Sequence, residues 1–220
     1  MIHLVLLLRK EFILDLRRKS VISGLALYLF STVFICYLTF SLHQNQITPL
    51  VWSALFWITI LFTMVNSVAK SFIGEKNGRS IYYYSLTQPT SIILSKIIYN
   101  FFLCLLLSFA GYTLFMLFFQ NPILDGTFFI LVLTLASFGF ASSLTLLSSI
   151  SAKTNNSNVV MAVLSFPAMI GILLMAIKVT KNCIDGLDRS ASVDELLTLG
   201  AINLLVAAVS YLLFPYIWRS

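Results

Sequence analysis

The sequence predicts an all-α polytopic membrane protein with six transmembrane helices, forming a single transmembrane domain over residues 1–220. Composition is the first observation behind this prediction. Of the 220 residues, 59% are hydrophobic and only 10% are charged, whereas a soluble domain averages about 25% charged residues. The second observation is a run of 50 residues, 20–69, without Asp, Glu, Lys or Arg. One crossing needs roughly 20 apolar residues, so this run contains two spans.

Polar interruptions divide the chain into its spans. A cluster at residues 43–46, followed by Pro49, separates the first two spans, and a turn at residues 120–122 separates the third from the fourth. We expect residues 178–195 to form a polar loop before the last span. The six predicted spans are about residues 20–42, 48–70, 92–119, 127–150, 159–177 and 196–218.

The first 19 residues predict an amphipathic helix lying in the membrane interface. Val5, Leu8, Phe12 and Leu16 recur at helical spacing, and charged residues fill much of the remainder. An ordinary cytoplasmic helix packed on a partner is the alternative. The basic residues follow a short apolar run, whereas they precede it in a signal peptide, so we expect the N-terminus to be retained.

Residues 70–96, the central stretch, form the longest polar interruption in the first 150 residues. The stretch has four basic residues against one acid, Glu75. Residues 81–86 form an amphipathic run whose edges are too polar to cross a bilayer. Pro89 then breaks the chain, and Ser91 can cap the apolar helix that follows. These features predict a short interfacial segment at one membrane face, between spans two and three.

The distribution of basic residues predicts the orientation. Eleven of the 14 Lys and Arg residues lie before residue 20, in the central stretch, at Lys153 or at Arg219, and the other three lie in residues 178–195 together with four acids. Cytoplasmic segments are enriched in Lys and Arg, so both termini and the central stretch are predicted to be cytoplasmic. The basic residues end apolar runs and do not form one face, which favours the lipid bilayer over nucleic acid as a partner.

The residue types present argue against several kinds of chemistry. We expect no ionisable side chain inside the apolar spans, although ion-coupled carriers usually keep such groups there. Gly139, Ser142 and Ser143 faintly resemble a nucleophile turn, but no histidine can reach them at that depth, so they are interpreted as small residues for close helix packing. No catalytic residue and no metal site is predicted, since the two histidines lie at or beyond helix ends. Residues 74–79 lack the spacing of a phosphate-binding loop, so any ATPase must be another chain.

Three stretches resemble a known family of permeases. The opening sequences LRKEF at 8–12 and LRRKS at 16–20 resemble its basic amphipathic start, and FIGEKNG at 72–78 resembles its acidic-then-glycine stretch. Pro89 and the sequence ILSK at 93–96 then follow as they do in that family. The family is CcmB, the haem exporter permease subunit of bacterial cytochrome c maturation, within the wider class of ABC-2-type exporter permeases.

This resemblance implies a non-catalytic subunit of an ABC transporter in the bacterial inner membrane. It implies a separate ATPase subunit that binds ATP, a second membrane subunit of the same or a different chain, and haem-handling cytochrome c maturation proteins. Haem is then a cargo, or the complex releases a haem-carrying chaperone, and no bound cofactor is predicted. The alternatives are an ABC-2-type permease for lipid, polysaccharide or drug, and a non-transporting assembly scaffold.

The resemblance also implies that the segment between spans two and three contacts the ATPase. Family members commonly have an acidic residue and leucines just after the glycine, where this chain has Arg79 and three tyrosines. The tyrosines are either docking anchors or an aromatic belt at the head-group level. The candidate ATPase-coupling residues are Glu75, Gly78, Arg79, Tyr82, Tyr83 and Tyr84.

The predicted topology is testable by cysteine labelling. In a background without native cysteines, a cysteine at Gln44 or Gln46 should react with a membrane-impermeant reagent added outside the cell, because this loop faces the periplasm. A cysteine at Asn77 should react only after the membrane is opened. The reverse pattern would overturn the orientation.

Overall fold

The computed structural model describes residues 2–17, 19–42, 47–73, 88–119 and 121–219, and these are helical apart from short turns. No strand occurs within these ranges, and the all-α prediction is confirmed. A 3₁₀ turn, Arg189–Ser192, precedes the last helix. The α-helices are α1 Ile2–Arg17, α2 Lys19–Leu42, α3 Pro49–Val68, α4 Lys70–Ile73, α5 Pro89–Phe119, α6 Gly126–Ser151, α7 Ser157–Asp185 and α8 Val193–Arg219.

Six of these helices, α2, α3, α5, α6, α7 and α8, are long and apolar enough to cross a membrane. The longest is α5 with 31 residues, or about 46 Å at 1.5 Å per residue, and the shortest is α3 with 20 residues, or about 30 Å. A hydrocarbon core is roughly 30 Å thick, so each of these helices is long enough to cross it. The predicted six-span membrane protein is therefore confirmed.

The polar loop predicted at residues 178–195 is wrong in extent. Helix α7 continues to Asp185, and α8 begins at Val193. Lys181 and Asp185 are four residues apart on α7 and form an ion pair of 2.6 Å, an arrangement that supports a helix. Gly186, with φ of +67°, ends α7 in the left-handed conformation. A helix longer than the hydrocarbon thickness can place charged residues outside the bilayer without becoming a loop.

The predicted N-terminal helix is present and packs one side against the bundle. Leu7 is buried and Glu11 is mostly buried, so both lie on that side. The opposite face is mostly apolar and also carries the exposed Arg9, which suits a helix in the membrane interface. Its exposed large apolar side chains are Val5, Leu6, Phe12 and Ile13.

Helix α6 lies at the centre of the bundle. It packs against α3, α5, α7 and α8, and 67% of its apolar stretch is buried, compared with 11% for α2. Its small residues are buried at these contacts, as the sequence predicts for close helix packing. They include Ser137, Gly139, Ala141, Ser142 and Ser143.

Gly139 allows α8 to approach α6 closely. Asn203 of α8 donates its Nδ2 hydrogen to the Leu135 carbonyl oxygen at 2.8 Å. A Cβ atom on Gly139 would overlap Asn203 Oδ1 and lie 3.0 Å from Ile172 Cδ1. Any larger residue at this position therefore displaces Asn203 from its hydrogen bond.

Replacing Gly139 by Ala should lower stability by about 1–3 kcal/mol, the usual penalty for overpacking a buried site. The thermal midpoint of the purified protein in mild detergent measures the effect. Gly200→Ala in α8 is the matched control, because nothing lies within 4 Å of its added Cβ. Equal midpoints for the two variants would contradict this account of α6–α8 packing.

Candidate functional site

The candidate ATPase-coupling residues Glu75, Gly78, Arg79, Tyr82, Tyr83 and Tyr84 lie outside the described residues. The structure does describe the two places where their segment joins the bundle: α4 on one side and the start of α5 on the other. Side chains from three helices meet there. We call this group the segment base and define it as Glu11, Ser71, Phe72, Lys96 and Asn100.

Lys96 is the central side chain of the segment base. It lies on α5 and is 1% exposed. Its Nζ donates to the Ser71 carbonyl oxygen at 2.7 Å and pairs with Glu11 Oε1 at 3.3 Å. The Phe72 ring centroid lies 4.7 Å from the same nitrogen. A buried ammonium needs such partners because it has lost its water, so Lys96 joins α1, α4 and α5.

Glu11 connects the N-terminal helix to this ammonium. Its side chain is 12% exposed, and its Oε1 atom also lies 3.0 Å from Lys10 Nζ. One residue further on, the Phe12 ring meets the Tyr99 ring of α5 edge to face, with centroids 5.0 Å apart. An ion pair and an aromatic contact therefore hold α1 against the start of α5.

Asn100 extends the segment base into the bundle. It lies one turn after Lys96 and is 1% exposed. Its Nδ2 donates to Thr145 Oγ1 at 2.8 Å and to Ser71 Oγ at 3.3 Å. The buried amide thus links α5 to both α4 and α6, and its hydrogen bonds offset the penalty of removing it from water.

The backbone of the short helix α4 is also fastened to α6. Ser148 Oγ donates to the Ala69 carbonyl oxygen at 3.0 Å and accepts a hydrogen bond from the Phe72 N–H at 3.3 Å. These are backbone groups at the junction of α3 and α4, where the regular helical pattern is interrupted. A single hydroxyl therefore satisfies groups that a helix end leaves without partners.

An apolar cluster surrounds these polar contacts and includes the end of α8. Its buried members are Leu7, Phe72, Ile92, Ile93, Ile97, Phe214 and Trp218. A polar contact reaches the same end of α8: Lys153 Nζ, in the turn after α6, donates to the Trp218 carbonyl oxygen at 3.3 Å.

A protein-family comparison matches residues 2–215 to the family described as CcmB protein. The chain belongs to the CcmB family. Comparison with curated proteins and with solved structures finds no match. Membership in the CcmB family implies an ABC transporter permease component for haem export in cytochrome c maturation, in a transporter that includes an ATPase and another membrane subunit.

The sequence places Lys96 where the polar central stretch ends and the third span opens, and it does not predict that this side chain is buried. In the structure of this CcmB family member α5 begins at Pro89, so Lys96 lies inside the helix. Its ammonium is buried against Glu11 and Ser71. The detectable signal in the sequence is Lys96 followed by Asn100 four residues later, which places two polar groups on one face of an apolar helix.

Ion pairs with exposed cations hold the opposite end of the CcmB bundle. Arg189 donates from Nε to Asp125 Oδ2 at 2.6 Å and from Nη2 to Asp125 Oδ1 at 3.1 Å. Asp125 also caps α6 by accepting from the Phe128 N–H at 3.1 Å. The hydrogen bond from Arg189, reinforced by the Phe128 N–H, lowers the pKa of the Asp125 carboxyl. Lys178 and Glu195 form a second pair, which links α7 to α8.

A shallow groove of about 200 Å³ runs between α3 and α7 of this CcmB chain. Leu61, Phe62 and Phe166 give it an apolar wall, and Asn66 and Ser165 are its polar lining residues. Among the residues that the structure describes, no three His, Cys, Asp or Glu side chains come close enough to hold a metal ion.

Replacing Arg189 by Gln should raise the pKa of Asp125 toward its ordinary value. In the wild-type protein the folded-state pKa lies below the unfolded one. The pair's contribution to stability is therefore complete above an ordinary aspartate pKa of about 4 and is lost as the pH falls through the lowered value.

Thermal midpoints measured from pH 7 to pH 2.5 test this prediction. The difference between wild type and Arg189→Gln should be steady near neutral pH and should shrink under acid. Asp188→Asn, an exposed carboxylate next to the pair, is the control and should keep the wild-type profile. A difference independent of pH would rule out the pair as its source.

Proposed function

We propose that this chain is the permease subunit that converts ATP hydrolysis by a separate ABC ATPase into movement of membrane helices. That movement drives haem export, or release of a haem-carrying chaperone, in c-type cytochrome biogenesis. The main support is the CcmB family match over residues 2–215, on a chain with six membrane-crossing helices. A permease for another cargo and a passive assembly scaffold are the alternatives.

The segment base supports a coupling role for the central stretch. The hydrogen bond from Lys96 Nζ to the Ser71 carbonyl oxygen joins α4 to α5, the two helices that flank residues 74–87. Because the two ends of the segment are held together, a displacement of the segment moves α4 and α5 together and does not simply separate them. We propose that Glu75 and Arg79 add charged contacts at the rim of the ATPase surface, and that Tyr82, Tyr83 and Tyr84 are the buried anchors.

The grouping of segments at one end of the bundle supports the proposed orientation. Leu7 of α1, Phe72 of α4 and Trp218 of α8 share one apolar cluster, and Lys153 reaches the same end of α8. These are the segments that the basic-residue distribution assigns to the cytoplasm. Residues 178–185 form the other end of α7, and residues 186–195 follow it. The proposed location is the bacterial inner membrane with both termini cytoplasmic.

The exposed faces of the outer helices leave room for the proposed second membrane subunit. An ABC exporter ordinarily combines two six-helix halves with two ATPase sites, and this chain supplies one half. Of the apolar stretch of α2, 11% is buried, and of α8, 17%. Their exposed apolar side chains contact lipid or the second subunit, which is another copy or a different membrane protein. ATP is bound by the ATPase subunit, and haem is cargo.

Deleting the gene should abolish covalent haem attachment to periplasmic c-type cytochromes while b-type haem proteins stay normal. Haem-staining gels of c-type cytochromes and spectra of b-type haem measure the two outcomes. Normal c-type cytochromes in the deletion strain would remove the haem assignment. If the ATPase subunit hydrolyses ATP at the same rate with and without this chain, the passive scaffold is favoured over the permease.

Replacing Tyr82, Tyr83 and Tyr84 together by Ala should weaken ATPase binding and leave membrane insertion intact. Truncating a docking anchor typically costs about 2 kcal/mol or more, so recovery of the ATPase with the tagged permease should fall at least tenfold. Tyr216→Ala is the matched control, since Tyr216 is 77% exposed near the same end of the bundle. ATPase recovery at the wild-type level would identify the three tyrosines as an aromatic belt.

A further inference from the structure

We infer that Lys96 is a positioning residue for coupling, and that its pair with Glu11 makes α1 the lipid-side brace of the segment base. This inference rests on the proposed function and assigns a part to a helix outside the six spans. The brace prevents the segment base from moving relative to the bundle when ATP hydrolysis displaces the central stretch. The displacement is then transmitted to the spanning helices.

Stability alone does not account for an ammonium at this position. Lys96 is 1% exposed, and replacing a buried ion pair by apolar residues of similar volume is often neutral or stabilising. A methionine could fill similar space without losing the hydration of a charge. What an apolar side chain cannot do is hold two partners at fixed directions, and Lys96 does this for Ser71 and Glu11.

The geometry makes α1 and α4 dependent on each other. The ammonium donates hydrogen bonds to the Ser71 carbonyl oxygen at 2.7 Å and to Glu11 Oε1 at 3.3 Å. The centroid of the Phe72 ring lies 4.7 Å from the same nitrogen. Hydrogen bonds weaken steeply once their lengths and angles depart from the usual range. A shift of α4 by about 1 Å relative to α1 therefore breaks one contact and leaves a buried charge poorly compensated.

The outward face of α1 explains how this helix can act as a brace. Val5 and Leu6 are 62% and 57% exposed on that face, together with Ile13 and the exposed Arg9. Apolar side chains beside a basic residue suit a helix that stays at the membrane interface. Towards the bundle, α1 is fixed to α5 through Glu11 and through the half-exposed Phe12, whose ring contacts Tyr99 edge to face. The segment base is thereby held between the lipid and the bundle.

The experiment compares Glu11→Gln, Lys96→Met and Lys96→Arg in the whole complex with its ATPase. Glu11→Gln keeps the shape and removes the charge, whereas Lys96→Arg keeps a cation with several donors. Arg189→Gln is the matched control, because it breaks an ion pair at the opposite end of the bundle. Three quantities are measured: ATPase recovered with the permease, ATP turnover per complex, and haem attached to c-type cytochrome per ATP hydrolysed.

Glu11→Gln and Lys96→Met should retain ATPase binding and turnover within about twofold, while haem attached per ATP falls roughly tenfold. Lys96→Arg should recover most of the coupling, and Arg189→Gln should behave as wild type. If Lys96→Met does not accumulate, Glu11→Gln decides the question, since it alters one charge and no volume.

Two outcomes would overturn the inference alone. One is haem attachment per ATP at the wild-type level in Glu11→Gln. Any fall in total haem attachment would then come from less protein or a lower thermal midpoint. The other is equal uncoupling by Arg189→Gln. A wild-type chain that retrieves no ATPase would instead overturn the proposed function, and this inference with it.

Discussion

The arrangement at one end of the bundle depends on a single ammonium group that has been removed from water. The partners of Lys96 include three groups on other elements: a backbone carbonyl of Ser71, the Glu11 carboxylate and the face of Phe72. Because an uncompensated buried charge is expensive, α1 and α4 must both be in place when α5 packs. The electrostatic requirement of one side chain thus fixes the relative positions of three helices.

The two ends of the molecule use charge in opposite ways. At the segment base the charged partners are buried and joined to the amide of Asn100, so few alternative arrangements satisfy them. At the other end the cations are mostly exposed, with Arg189 and Lys178 at 63% and 61%, although the side chain of Glu195, which pairs with Lys178, is 11% exposed. The two ends therefore differ in the burial of the cation, and the cation of the segment base is the one that has lost its water.

Much of the architecture was predictable because membrane spans are set by length and hydrophobicity. The second span, predicted at about residues 48–70, appears as α3 at Pro49–Val68, and the packing role of Gly139 followed from its small neighbours. The partner of Lys96 was not predictable, since Glu11 lies 85 residues away in sequence. Residues 178–195 were misassigned because charges on a helix that leaves the bilayer resemble a loop in composition.

The burial of Lys96 also gives the protein a chemical reporter. An amine-selective reagent reacts with the Nζ of an accessible lysine such as Lys178, which is 61% exposed, but it cannot approach an amine enclosed by Phe72 and α1. Labelling of Lys96 would therefore show that the base opens, and its rate relative to Lys178 would give the rate of that opening.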